Sequence, residues 1–477
     1  MQQLTGLDAA FLALETPGVY GHVGSVCILD AANAPEPVTL DTLTRLLESR
    51  LHLVPVFRRR LAEVPFGFDQ PYWIEDPDFD IEFHVREIAL PAPGDDKQLA
   101  EQAARLHARP LDRSRPLWEL YLISGLSGGR AAVYSKVHHA AIDGVGGNDV
   151  LAALLDLTPQ GRDLEPAPPW SGDHVPGPVE LLTRSAVSMW GHPARAVRLS
   201  TQLASSLPGI MRNTAMPRLP VLDRLRRRSQ SAVLNQSSLR APATPFNKRI
   251  SPHRRWAFCT VSLSDVKKVK NAQGCTVNDV VMALCTGALR RWLLEHDALP
   301  DAPLIAAVPV SVRSDAQQGA GGNRVSTMIA PIPTDVADPG QRLALVHEAM
   351  RAAKEQHGAL PADLLADAAQ FAMPALAGQA ARLNARLRLL EWLSPFNLFI
   401  SNVPGPNIEL YYAGARLLAY YPLSAIAHGQ GLNMTVMSYE DGLHFGLLSC
   451  RELVPDLDAL ATYLVDELDG LLVLIPA

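Results

Sequence analysis

Two adjacent histidines lie near the end of an apolar run and are followed by an aspartate and a glycine: His138-His139-Ala140-Ala141-Ile142-Asp143-Gly144. Imidazole changes its charge near neutrality, so a histidine can take and return a proton at working pH. Along a strand, successive side chains point to opposite faces. His138 and His139 therefore cannot both face one pocket while the strand continues: one is buried as support and the other is presented. Asp143, four residues beyond His139, can return after a turn to fix the loop or a ring, and Gly144 supplies the backbone freedom of a sharp turn. Three readings of this string stand side by side. It can be two packed histidines beside a turn aspartate, a metal site, or a general base for acyl transfer. Metal binding is disfavoured because the three side chains lack ligand spacing on one face and no His-Glu-x-x-His or cysteine cluster joins them.

The surrounding chain must position these residues. Trp118 to Leu126 and Ala131 to Val137 read as strands joined at Ser127-Gly128-Gly129, a hairpin whose second strand delivers the histidines. Upstream, Val23 to Leu29 and Ile81 to Leu90 read as strands, and Leu40 to Leu51 and Leu99 to Leu106 as helices. Val150 to Leu157 reads as a helix stopped by Pro159. The stretch from 161 to 252 is rich in proline and carries arginine, with a helical pattern from Val179 to Leu203. Residues 161–255 hold 15 Lys and Arg against 5 Asp and Glu, so the rest of the chain carries the negative balance. Beyond it, Ala257 to Leu263 reads as a strand, Ser264-Asp265 as a helix cap, and Val277 to Leu294 as a helix. Leu304 to Val312 is an apolar strand. Gln341 to Glu355 and the Ala-rich Leu364 to Leu390 read as helices. Leu398 to Val403, Ala415 to Tyr421, Met434 to Tyr439 and Leu443 to Leu448 are strands, and Leu457 to Leu471 is a closing helix. The expected division is 1–160, a connector at 161–252, and 253–477.

At 477 residues the chain is long enough for two or three domains. Hydrophobic residues at 48% exclude wholesale disorder, and a net charge of −6 argues against a nucleic-acid binder. Five scattered cysteines without a CxxC pair suit reduced thiols in a cytoplasm. The N-terminus lacks the basic and apolar regions of a secretion signal, and no apolar window reaches the roughly 20 residues of a spanning helix.

Further blocks resemble one family. His138 to Gly144 matches the HHxxxDG motif of bacterial wax ester synthase/acyl-CoA:diacylglycerol acyltransferases, members of the CoA-dependent acyltransferase superfamily. Pro116-Leu117-Trp118-Glu119 is similar to the family's PLW-type block, Asn278-Asp279 to its Asn-Asp motif, and Asp8 to Glu15 with His22-Val23-Gly24 to its N-terminus. Asn323-Arg324 and Ser401-Asn402-Val403-Pro404-Gly405-Pro406 resemble C-terminal blocks. Gly21 departs from the pattern, since the family often carries a methionine before the histidine.

The resemblance implies an α/β (α+β) fold of two chloramphenicol-acetyltransferase-like subdomains with mixed sheets and flanking helices, and an active site in the tunnel between them. It implies His139 as general base, with His138 and Asp143 in support. Partners would be long-chain acyl-CoA as substrate and a diacylglycerol or fatty alcohol as acceptor, with no metal or other cofactor and no nucleic acid. Pro116 to Glu119, Asn278, Asp279, Ser401 and Asn402 would contact substrate or shape the protein. No Gly-x-Ser-x-Gly elbow appears, so direct transfer without an acyl-enzyme is expected. A condensation-type enzyme using a carrier-protein thioester, or a non-catalytic lipid-binding relative, are the alternatives. The expected location is cytoplasmic, with peripheral contact at the membrane or a lipid inclusion through arginines of the connector: Arg195, Arg198, Arg212, Arg218, Arg224, Arg226, Arg227 and Arg228.

Overall fold

The computed structural model describes residues 1–67, 69–142, 147–165, 167, 170–190, 241–311, 325–357 and 395–475. Several expected features lie outside these residues: Asp143 and Gly144, Asn323-Arg324, the connector arginines from Arg195 to Arg228, and the Ala-rich stretch from Leu364.

Two six-stranded mixed sheets dominate. The first runs in the order Tyr411–Tyr412, Ala415–Leu423, His22–Asp30, Ala131–His138, Trp118–Ser124, Val85–Ala89. Its neighbours are antiparallel except the last pair. The second runs Val325–Ile332, Leu304–Ser311, Leu398–Val403, Leu432–Tyr439, Gly442–Cys450, Arg254–Ser262. Leu398–Val403 is parallel to both of its neighbours. A small sheet of Gln2–Gln3, Tyr72–Glu75 and Arg59–Ala62 lies apart.

The expected hairpin forms. Trp118–Ser124 and Ala131–His138 pair antiparallel, and Gly128 and Gly129 take φ of 73° and 70° in the turn, which a side chain would resist. One face of the first sheet packs Leu120, Leu122 and Val133 on helix Leu40–Arg50 through Leu43 and Leu47. The other face packs Tyr121, Ile123 and Tyr134 on helix Asp96–His107 through Leu99 and Ala103. The second sheet is covered by Val277–Glu295, whose buried residues from Val280 to Leu289 lie on all sides, and by Leu457–Val473. At roughly 25 cal/mol per Å² of apolar area buried, such faces are the main source of stability.

Three local expectations change. Ile81 to His84 is a short helix, capped by Asp80 accepting from Glu82 N–H at 3.0 Å, and only Val85–Ala89 is a strand. The cap of Leu263–Gln273 is Ser262, which accepts from Asp265 N–H at 3.1 Å; Ser264 is already inside the helix. The sheets also cross the sequence division. Strand Ala415–Leu423 pairs with His22–Asp30, so the C-terminal part of the chain extends the first sheet. Trp256, Tyr421 and Cys450 then share one apolar core with Ile123 and Tyr134.

Candidate active site

Strand Ala131–His138 ends on His138, and helix His139–Ile142 begins at the next residue. This change of backbone separates the two side chains. His138 is 2% exposed and His139 is half-buried. His138 N–H donates to Leu117 O at 2.9 Å, so the block at Pro116-Leu117 holds the end of the motif strand. His139 N–H donates to Gly21 O at 2.8 Å.

Both ring nitrogens of His138 are committed. Ala140 N–H donates to Nδ1 at 3.1 Å. A backbone N–H can only donate, so Nδ1 is bare and Nε2 carries the proton. That proton is donated to Glu15 Oε1 at 3.2 Å. Glu15 Oε1 also accepts from Gly21 N–H at 2.6 Å, and Arg113 donates to Oε2 at 2.8 Å. Burial alone would raise the Glu15 carboxyl, but the His138 ring, the Gly21 N–H and Arg113 together outweigh it and bring it down to about 2. Glu15 therefore ties three things to one carboxylate: the end of helix Gly6–Leu14, the loop to His22, and the motif. In this arrangement a Cβ on Gly21 would stand 2.7 Å from His138 Nε2, so a side chain here would require the ring to shift.

The His139 ring stacks on Phe11 at 4.3 Å and 22°. Burial lowers its pKa, as does neighbouring His138, while Asp8 acts in the opposite direction. The ring is thus kept neutral at pH 7, the state a proton acceptor needs.

The motif strand and its sheet neighbours carry a buried polar row. Lys136 is fully buried, pairs with Glu119 at 2.9 Å and donates to Leu106 O and Arg109 O. His22 sits directly across from His138, bonded to His107 O at 2.8 Å. Burial holds His107 at about 3 and His22 well below its usual value, so both remain neutral supports.

The other expected residues fall into two groups. Pro116, Leu117, Trp118 and Glu119 are buried beside the motif strand, Trp118 and Glu119 as its sheet partners. Trp118 stacks on Phe57 and His84, and its Nε1–H donates to Phe57 O at 2.8 Å, the environment of a core anchor. Asn278 and Asp279 open helix Val277–Glu295, while Ser401 and Asn402 lie on strand Leu398–Val403 of the second sheet. Asn402 Nδ2 donates to Asn278 Oδ1 at 3.2 Å. Asp279 closes a capping box with Thr276 and bonds His347 Nδ1 at 2.8 Å. Glu15, Arg113, Phe11 and Asp8 were not singled out from sequence as site residues. The signal for Asp8, Phe11 and Glu15 is the match of Asp8 to Glu15 to the family's N-terminus; Arg113 lies in none of the matched blocks.

Comparison with known proteins identifies the family. The model of the wax ester synthase/diacylglycerol acyltransferase catalytic domain matches residues 4–281, and that of the WS/DGAT C-terminal domain matches residues 321–472. A Mycobacterium tuberculosis protein bearing the name diacylglycerol O-acyltransferase is 38% identical over 476 residues, covering 99% of this chain and 90% of that one. Another from the same organism is 36% identical, with 97% of each chain covered. The solved wax ester synthase/diacylglycerol acyltransferase of Marinobacter aquaeolei VT8 superposes with a TM-score of 0.70 at 31% identity, over 99% of this chain and 98% of that one. The first condensation domain of the calcium-dependent antibiotic synthetase, at 17% identity and a TM-score of 0.55, shares the fold. This chain belongs to the wax ester synthase/diacylglycerol acyltransferase family.

Proposed function

We propose that this protein transfers a fatty acyl group from acyl-CoA to the hydroxyl of a diacylglycerol, giving triacylglycerol, or of a long-chain alcohol, giving a wax ester, with His139 as general base. The observation that carries the assignment of the base is the commitment of both His138 nitrogens, one to Ala140 N–H and one to Glu15. His138 has no nitrogen left for a substrate proton. His139 starts a new helix beside it and is kept neutral by its surroundings.

The reaction then runs in two steps. As the acceptor oxygen bonds to the thioester carbon, its proton passes to His139. The tetrahedral adduct collapses, the C–S bond breaks, and the thiolate recovers the proton from His139. A positioned base is worth typically about 10²–10⁴-fold. Direct transfer is supported by the thiols. Burial pushes Cys27 and Cys259 up to about 12 and raises Cys275 and Cys285, so none of these is a ready nucleophile. No cofactor beyond the acyl-CoA substrate enters this scheme.

No described helix is long and apolar enough to cross a membrane. We place the enzyme in the cytoplasm, reaching its lipid acceptor by peripheral contact with a membrane or lipid inclusion, with acyl-CoA and acceptor entering between the two sheet-rich halves. Purified protein supplied with palmitoyl-CoA and either dioleoylglycerol or hexadecanol tests the reading. Free CoA and the matching ester should appear together; CoA release without ester, or neither, refutes it.

A further inference from the structure

Proton transfer to His139 creates an imidazolium in a half-buried place, and a nearby carboxylate would stabilise it. Helix Gly6–Leu14 packs against the motif helix, with Phe11 stacked on the His139 ring. Asp8 lies three residues before Phe11, hence on the same face of that helix. It is 5% exposed. Thr5 Oγ1 donates to its Oδ2 at 2.6 Å, but Oδ1 is buried without a hydrogen bond. Capping explains one oxygen and leaves the other unexplained, and an unsatisfied buried carboxylate oxygen is costly. Glu15 cannot take the role, since His138 and Gly21 occupy its Oε1 and Arg113 its Oε2.

We propose that Asp8 is a positioning residue for the acyl transfer: its carboxylate, with Oδ1 uncommitted on the helix that packs against the motif, stabilises the imidazolium formed on His139 as the acceptor loses its proton. Asp8 exchanges no proton. The alcohol O–H bond breaks toward His139, the oxygen bonds the thioester carbon, and the proton leaves later with the CoA sulfur. This rests on the general-base reading of His139. Among the described residues, the charged or titratable groups about that ring are His138 at the strand end and Asp8 on the packed helix, with Glu15 and Arg113 behind His138; Asp143 lies outside them.

The test compares Asp8→Asn with Thr5→Ala, which loses the cap but keeps the carboxylate. kcat and the pH dependence of kcat/KM are measured by CoA release from palmitoyl-CoA with a short soluble alcohol, alongside the melting temperature. Removing a carboxylate lowers the His139 pKa, so in Asp8→Asn the acid limb should move down by about one pH unit and kcat should fall roughly tenfold. Thr5→Ala should lower the melting temperature and leave the limb in place. Asp8→Ser, short and able to keep the bond to Thr5, carries the same prediction if the amide variant does not fold. An unmoved limb in the folded Asp8 variant, or equal losses of rate and stability in the Asp8 and Thr5 variants, overturns the proposal. If His139→Ala is inactive while Asp8→Asn behaves as wild type, Asp8 alone is wrong; if His139→Ala is fully active, the base assignment fails first.

Discussion

Replacing Glu15 with Gln removes one charge and keeps the shape of the side chain. The carboxyl lies at about 2 instead of 4.5. At 1.36 kcal/mol per pH unit, the stabilisation is at most about 3 kcal/mol. Glu15 retains some exposure, and the amide can still accept from Gly21 N–H, so a loss of about 2 kcal/mol at pH 7 is expected. The sign follows from the direction. A carboxyl depressed in the folded protein contributes in full above its unfolded value near 4.5, and the contribution fades as pH falls toward 2. Urea unfolding of both proteins should thus show a gap at pH 7 that shrinks below pH 4.5. Arg113 is 39% exposed and can turn to water, whereas His138 at 2% cannot. The ring that holds Ala140 N–H is then less firmly fixed, and kcat for CoA release should fall about tenfold with KM little changed. Equal stability at pH 7, or a gap that persists unchanged to pH 3, would refute the reasoning.

Gly21→Ala places a Cβ 2.7 Å from His138 Nε2; the ring must move, costing about 1–3 kcal/mol and most of the activity, and full kcat in this variant would contradict the geometry. Lys136→Met strands the Glu119 carboxylate at 9% exposure, a loss of about 3–5 kcal/mol that the double change Lys136→Met/Glu119→Leu should largely recover; a double variant as unstable as the single one in urea would argue against a stranded charge.

Much of this architecture was legible because local chemistry dictated it. The Ser127-Gly128-Gly129 turn pointed to a hairpin, and the β-rich apolar runs on either side named its strands. The separation of His138 from His139 followed from strand geometry, although the structure achieves it by starting a helix at His139. Pairings over long distance were not legible. Nothing near Ala415–Leu423 says that it joins His22–Asp30, because register between remote strands depends on the whole assembled core. Glu15 and His138 are 123 positions apart, so their hydrogen bond exists only in the fold. Ile81 to Leu90 opens with strand-like alternation at Ile81, Phe83 and Val85, and the Asp80 cap overrides that pattern for its first turn.

The central claim is that His139 takes the acceptor's proton. Its most direct measurement is the rate of CoA release from palmitoyl-CoA with dioleoylglycerol by His139→Ala, set beside wild type at equal circular dichroism and melting temperature. The expected result is a rate lower by at least about 10²-fold with the fold intact. A folded variant that releases CoA and forms triacylglycerol at near the wild-type rate would contradict the assignment.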